Sequence, residues 1–69
     1  MNSIILKKFG KNLKKYRLER GFTQERFAEL ADLSVTYISL LENGRTNTTL
    51  LVVEKISKIL KIDFVKFFE

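Results

Sequence analysis

The side chains of this 69-residue sequence that could do chemistry are mainly lysines near its start. Residues 1–20 hold seven Lys or Arg against one Glu, whereas the rest of the chain carries a net charge of −1. Five of these cations lie close together: Lys7, Lys8, Lys11, Lys14 and Lys15. Such a segment attracts the phosphate backbone of nucleic acid or an anionic membrane, and it can equally be a solvated helix face that keeps the protein soluble.

Other kinds of chemistry are excluded by what the sequence lacks. It has no Cys and no His, so disulfides, thiolate metal sites and a histidine base are absent. The acidic residues form no paired site, and no glycine-rich phosphate loop is present. We therefore expect no enzyme activity, no cofactor and no metal. The apolar run Ile4 to Leu6 is too short for a signal peptide or a membrane span, which predicts a cytoplasmic protein.

Apolar residues at helical spacing predict an all-α protein, with one domain over residues 1–69. Gly21 can close the first helix in the left-handed conformation. Thr23 and Ser34 are good N-caps for two helices of about eight residues, joined by about three. The predicted stripes are Leu6, Phe9, Leu13, Tyr16 and Arg20; Phe27, Leu30 and Ala31; Ile38 and Leu41; and Leu50, Val53, Ile56 and Leu60. Phe64, Phe67 and Phe68 mark a short C-terminal turn or fifth helix.

The helix boundaries in the second half of the chain are less clear from the sequence. Asn43-Gly44 predicts a helix end, and Thr48 or Thr49 can cap the fourth helix. Asp63 can cap a short final turn or fifth helix. A Val/Ile-rich strand at 50–53 is the main alternative in this region.

The segment from Thr23 to Arg45 resembles the phage-repressor and Cro-like (XRE-type) helix-turn-helix family. It has the T-Q-E opening, Ala28 in the first helix, L-S before the second, Y-I-S within it and E-N-G-R after it. The resemblance implies a compact bundle of five short helices, like that of lambda repressor, with the motif at helices 2 and 3, about residues 23–42. Asp32 and Thr48 stand where the family usually has Gly and often has Pro. Asp tolerates a left-handed conformation and Thr can cap a helix, so we expect the motif to persist.

The resemblance implies that the second helix of the motif lies in the major groove of double-stranded DNA. The residues implied to contact DNA are Thr23, Gln24, Ser34, Val35, Thr36, Tyr37, Ser39, Leu40, Asn43, Arg45, Thr46 and Asn47. Relatives often carry hydrogen-bonding residues at the positions of Val35 and Leu40. We therefore expect Val35 to pack on a thymine methyl and DNA shape to contribute to specificity. Structural alternatives remain at three positions: Tyr37 can pack on the core edge, Ser39 can be solvated and Arg45 can be a helix-end cation.

Two further interactions are expected. The family pairs an Arg of the first helix with a Glu that ends the recognition helix, which implies an ion pair between Arg17 and Glu42. Small helix-turn-helix domains also bind DNA as two-fold dimers. We predict a homodimer on a palindromic operator, because the C-terminal helices carry more apolar residues than one small core encloses. The predicted dimer-interface residues are Leu51, Val52, Ile59, Val65, Phe67 and Phe68.

The small size and the ending Asp63 to Glu69 also resemble the controller proteins of restriction-modification systems. A controller activates and represses neighbouring genes, which adds RNA polymerase as an implied partner. An antitoxin-like autoregulator uses the same domain. A protein-interaction module, with Val35 and Leu40 on an apolar recognition face, is the alternative of another class.

Overall fold

The computed structural model describes residues 3–69, so residues 1 and 2 of the predicted domain lie outside the described part. This part contains four α-helices, a C-terminal 3-10 helix and no β-strand. The elements are α1 (Ile4–Glu19), α2 (Gln24–Ala31), α3 (Val35–Glu42), α4 (Leu50–Leu60) and the 3-10 helix (Phe64–Phe68). The all-α prediction is confirmed. The last stretch forms a 3-10 helix rather than a fifth α-helix, and the alternative strand at 50–53 is wrong.

Each helix is preceded by a residue whose short polar side chain accepts a hydrogen bond from the backbone N–H two or three residues ahead. This arrangement satisfies an amide that has no partner inside the helix. Thr49, and not Thr48, caps α4 by accepting the Val52 N–H at 3.1 Å. Ser3 is the one cap that the sequence pattern does not indicate. The caps in chain order are Ser3, Thr23, Ser34, Thr49 and Asp63.

The ends of α1 and α4 are held together by Arg20. Gly21 follows α1 with φ +77°, as predicted, and Lys61 ends α4 in the left-handed conformation with φ +57°. Arg20 Nε donates to the Leu60 carbonyl at 2.6 Å, which satisfies a carbonyl that α4 itself leaves free. Arg20, which the sequence pattern predicts on the inward stripe of α1, is therefore exposed and caps the end of α4.

The hydrophobic core receives side chains from all five elements. Its members are Phe9, Leu13, Phe27, Ala28, Ala31, Ile38, Leu41, Val53, Ile56, Leu60 and Phe67. Four of the apolar residues predicted to face inward or to mark the final turn are exposed instead: Leu50 (86%), Phe64 (56%), Leu30 (40%) and Phe68 (37%). Leu50 is the first residue of α4, one turn before the helix reaches the core at Val53.

Phe67 is wrong as a dimer-interface residue, because its side chain is fully buried within the protein. Its ring centroid lies 5.1 Å from that of Phe9 and 6.4 Å from that of Tyr16. Asn12 Nδ2 donates to the Phe67 carbonyl at 2.8 Å and so fixes the 3-10 helix against α1. The neighbouring Phe68 remains partly exposed and stacks on Phe9.

Candidate nucleic-acid interface

The three-residue turn between α2 and α3 sets the angle of the two helices. Asp32 adopts φ +56° and ψ +45°, the left-handed conformation predicted for this departure from Gly. The Leu33 N–H donates to the Ala28 carbonyl at 2.9 Å, which closes the end of α2. Ala28 is buried, and its small side chain allows the helices to pack closely. The turn thus forms with Asp in place of Gly.

The start of each helix of the motif presents backbone N–H groups at the surface. Thr23 Oγ1 accepts the Arg26 N–H and Ser34 Oγ accepts the Tyr37 N–H, both at 3.0 Å. Thr23 and Ser34 are exposed. Because each cap satisfies one amide, other first-turn amides remain free for an anion, and the helix dipole favours negative charge there. Both helix starts therefore suit phosphate oxygens.

The outer face of α3 is chemically mixed. Val35 and Leu40 are each 38% exposed, and Thr36 is exposed as well. Ser39 is half-buried, and its carbonyl accepts Asn43 Nδ2 at 2.8 Å. Hydrogen-bonding groups on this face are therefore few, in keeping with its sequence.

Tyr37 joins α3 to the loop that follows it. Its ring is half-buried and packs against the core, which is the structural alternative considered for this residue. The hydroxyl donates to the Asn47 carbonyl at 3.1 Å. In this arrangement the phenolic proton holds the loop, while the hydroxyl oxygen keeps acceptor capacity.

The predicted ion pair between Arg17 and Glu42 is present and buried. Arg17 Nε lies 2.5 Å from Glu42 Oε2, and the two side chains are only 6% and 2% exposed. Arg17 Nη2 donates to Glu42 Oε1 at 3.1 Å, and Nη1 donates to the Phe22 carbonyl at 2.7 Å. Gln24 Nε2 also donates to Glu42 Oε1, at 3.0 Å. One carboxylate therefore connects α1, the start of α2 and the end of α3.

The loop between α3 and α4 carries the remaining residues predicted to contact DNA. Arg45 and Asn47 are exposed and Thr46 is half-buried. The Arg45 N–H donates to the Leu40 carbonyl at 2.9 Å, which ties the loop to the last turn of α3. Asn47 Oδ1 accepts the Thr48 N–H at 3.0 Å. The structure thus brings this loop, the outer face of α3 and the start of α2 into one region of the molecule.

The remaining predicted dimer-interface residues differ in exposure. Leu51 is 76% exposed, and Val65 and Phe68 are partly exposed. Val52 and Ile59 are half-buried and pack against the core, so each offers only part of its side chain.

Two apolar residues outside that prediction, Leu50 and Phe64, are also exposed. They line a depression of about 240 Å³ together with Val53, Glu54 and Ser57. Each directly follows an N-cap, Thr49 or Asp63. Because the first residue after an N-cap lies before the helix reaches the core, this position is the sequence signal that could have identified both residues as exposed.

Two negative findings concern residues 3–69 only. Within this range no cluster of acidic side chains is arranged to hold a metal ion. No helix in the same range has the length and apolar character needed to cross a membrane.

Comparison with known proteins identifies the family. The Helix-turn-helix family model matches residues 13–67. Control protein C.MunI of a Mycoplasma species is 45% identical over 69 residues, which cover 99% of this chain and 92% of that protein. An uncharacterized HTH-type transcriptional regulator of Bacillus subtilis, YqaF, is 44% identical over 57 residues, covering 83% of this chain and 75% of that protein.

Solved structures agree with these sequence matches. The restriction-modification controller protein C.AhdI from Aeromonas hydrophila has a TM-score of 0.86 at 33% identity, covering 91% of this chain and 96% of that chain. The controller protein C.Esp1396I, solved as a tetramer in complex with its natural 35 base-pair operator, has a TM-score of 0.84 at 42% identity. That match covers 97% of this chain and 88% of the other. This chain therefore belongs to the helix-turn-helix family.

Proposed function

We propose that this chain is a transcription regulator that binds double-stranded DNA as a homodimer on a palindromic operator, with α3 in the major groove. The observation that carries the proposal is the joint exposure of the α3 outer face and the two capped helix starts beside it. A helix with its side chains is about 10–12 Å wide, and the major groove is about 12 Å wide. The width of α3 therefore fits the major groove, and the capped helix starts beside it can meet the phosphates.

Base recognition by α3 would rest on apolar contact more than on hydrogen bonds. Val35 and Thr36 occupy the first turn, the part of a recognition helix that reaches base edges. Val35 suits the methyl group of thymine, and Leu40, about 1.4 turns further along α3, offers a second apolar contact. Sequence-dependent DNA shape supplies the rest of the specificity.

Phosphate binding would come from the groups around α3. Gln24 Nε2 carries two hydrogens, of which Glu42 accepts one, so the other is available to a phosphate oxygen. Arg45 and Asn47 offer a cation and an amide from the loop after α3. Thr23, Ser34, Asn43 and Thr46 complete the proposed set of backbone contacts, and these contacts position the protein without reading sequence.

The homodimer would form through α4 and the 3-10 helix. Leu51, Val65 and Phe68 are exposed on these elements, and Leu50 and Phe64 add to the same apolar surface. Apolar surface concentrated on adjacent elements is typical of an interaction site. A two-fold dimer would place two copies of α3 about 34–36 Å apart, one helical turn of DNA.

The regulatory role we propose is that of a restriction-modification controller, by analogy with C.MunI and C.AhdI. An activating role would make RNA polymerase a further partner. A methyltransferase gene and an endonuclease gene beside the coding sequence would support this assignment. Their absence would favour an autoregulator with the same domain.

A salt titration tests DNA binding. Binding through phosphates weakens with a log-log slope of about −0.9 per phosphate contact, whereas an apolar protein interface does not show this dependence. Selection of a site from random duplex DNA, followed by footprinting, then gives the operator and its half-site spacing. No binding to any duplex at low salt would refute the proposal and favour a protein-interaction module.

Replacing thymine by uracil in the selected site tests the role of Val35. The exchange removes only the methyl group, so it should weaken the wild-type protein more than the Val35→Ala variant, whose shorter side chain makes less contact with the methyl. Equal sensitivity of both proteins would exclude Val35 as the methyl contact.

A further inference from the structure

Lys7 of α1 lies directly against the loop that follows α3. Gly44 is buried with φ +68°, and a Cβ placed on it would lie 2.9 Å from both Cα and Cγ of Lys7. The stem of Lys7 therefore occupies the space beside Gly44 that any larger residue would need. Lys7 as a whole is nevertheless exposed. A lysine with a packed stem keeps its ammonium group in water, so its charge is left at the surface beside this loop.

The same loop borders α1 at a second point. Leu6 lines a depression of about 260 Å³ together with Gly44, Arg45, Thr46 and Asn47. The first turns of α1 and the loop thus form one continuous surface. The positive charge of Lys7 belongs to the same surface as that of Arg45.

The charge of Lys7 is not neutralised within residues 3–69. The ion pairs in this range involve Arg17, Arg26 and Lys66, and none involves a lysine of α1. Lys14 lies seven residues after Lys7, on nearly the same side of the helix and about 10.5 Å along its axis. An unpaired cation with an ordered stem gives up less side-chain freedom when it binds an anion.

We propose that Lys7 contacts a DNA phosphate and so extends the nucleic-acid interface from the loop onto α1, outside the helix-turn-helix motif. The inference rests on the proposed function, since it requires DNA to approach the loop. It assigns a binding role to part of the basic segment, in place of a purely solvated helix face. The packing of the Lys7 stem beside Gly44 places this contact next to the loop.

The test compares Lys7→Gln with Lys58→Gln. Both substitutions remove one exposed lysine charge, but Lys58 lies in the last turn of α4, about 12 Å along that helix from its start at the loop. Binding of wild type and both variants to a mixed-sequence duplex of about three helical turns is measured across about 50 to 200 mM salt. Thermal melting and sedimentation of the three proteins test whether they have the same stability and oligomeric state.

Loss of one phosphate contact reduces the salt slope by about 0.9 for each bound monomer. The ratio of wild-type to Lys7→Gln affinity should therefore fall between 50 and 200 mM salt by about 3.5-fold for each bound monomer, or about 12-fold for a dimer, while Lys58→Gln keeps the wild-type slope. Equal slopes for both variants would overturn the inference and leave the proposed function standing. A lower melting temperature of Lys7→Gln with an unchanged slope would also overturn it, because Lys7 would then only support the end of α3. Absence of salt-dependent binding by the wild type would instead remove the proposed function itself.

Discussion

Replacing Glu42 by Gln should strongly destabilise the protein. The substitution keeps the shape of the side chain and removes its negative charge. The Arg17 guanidinium, only 6% exposed, then stays buried without a counter-charge. The substitution also replaces one carboxylate oxygen by an NH2 group, which donates hydrogen bonds. In the structure both oxygens accept hydrogen bonds, so one of these donors would lose its acceptor. Breaking a buried pair in this way costs about 3 to 5 kcal/mol.

That cost is large for a chain of this length. At roughly 0.05 to 0.15 kcal/mol per residue, 69 residues give a free energy of unfolding of about 3.5 to 10 kcal/mol. The variant should therefore lose about a third of its stability or more. Since 1 kcal/mol shifts the melting temperature of a small domain by roughly 4–8 °C, we expect a decrease of at least about 12 °C.

Urea denaturation followed by circular dichroism measures the change. All variants are compared at one protein concentration, because the proposed dimerisation would make apparent stability depend on concentration. The matched control is Glu19→Gln, which removes an exposed carboxylate at the end of α1 and should change stability by less than about 0.5 kcal/mol. The double variant Arg17→Met/Glu42→Leu removes both charges and should recover much of the loss. A Glu42→Gln loss no larger than that of Glu19→Gln would refute the role of the ion pair.

Three further substitutions give clear expectations. Gly10→Ala should cost about 1–3 kcal/mol in urea denaturation, despite the better helix propensity of Ala, because its Cβ would overlap the Leu41 carbonyl; a gain would contradict this close contact. Lys61→Gly should raise stability by about 1 kcal/mol in calorimetry, since it removes a left-handed non-glycine residue, and a lower melting temperature would argue against that conformation. Leu51→Glu should convert the proposed dimer into a folded monomer in sedimentation velocity, and an unchanged dimer would place the interface elsewhere.

Features set by neighbouring residues could be predicted from the sequence. Thr23 and Ser34 are caps because a hydroxyl reaches an amide three residues ahead, a contact that needs no distant partner. The left-handed conformation of Asp32 is indicated by the family resemblance, since the family usually has Gly there and Asp tolerates this conformation. The pair between Arg17 and Glu42 is 25 positions apart in sequence, and family resemblance, not spacing, indicated it.

Features set by tertiary packing could not be read from the sequence pattern. Phe67 and Phe68 are adjacent aromatic residues in a 3-10 helix, and only the ring packing on α1 decides which one enters the core. The Tyr37 hydroxyl bond to the loop depends on the path of the backbone around Asn47. The contact of Lys7 with Gly44 joins residues 37 positions apart, and no periodicity within either element encodes it.

The hydrogen bonds of Glu42 to Arg17 and Gln24 have a consequence for operator geometry. With three helices held at one carboxylate, we expect α1, α2 and α3 to move together. In the proposed dimer, tolerance to an added or deleted base pair between half-sites would then come from the contact between protomers. Spacer-length variants of a selected operator would therefore report on the dimer contact, while base substitutions within a half-site report on α3.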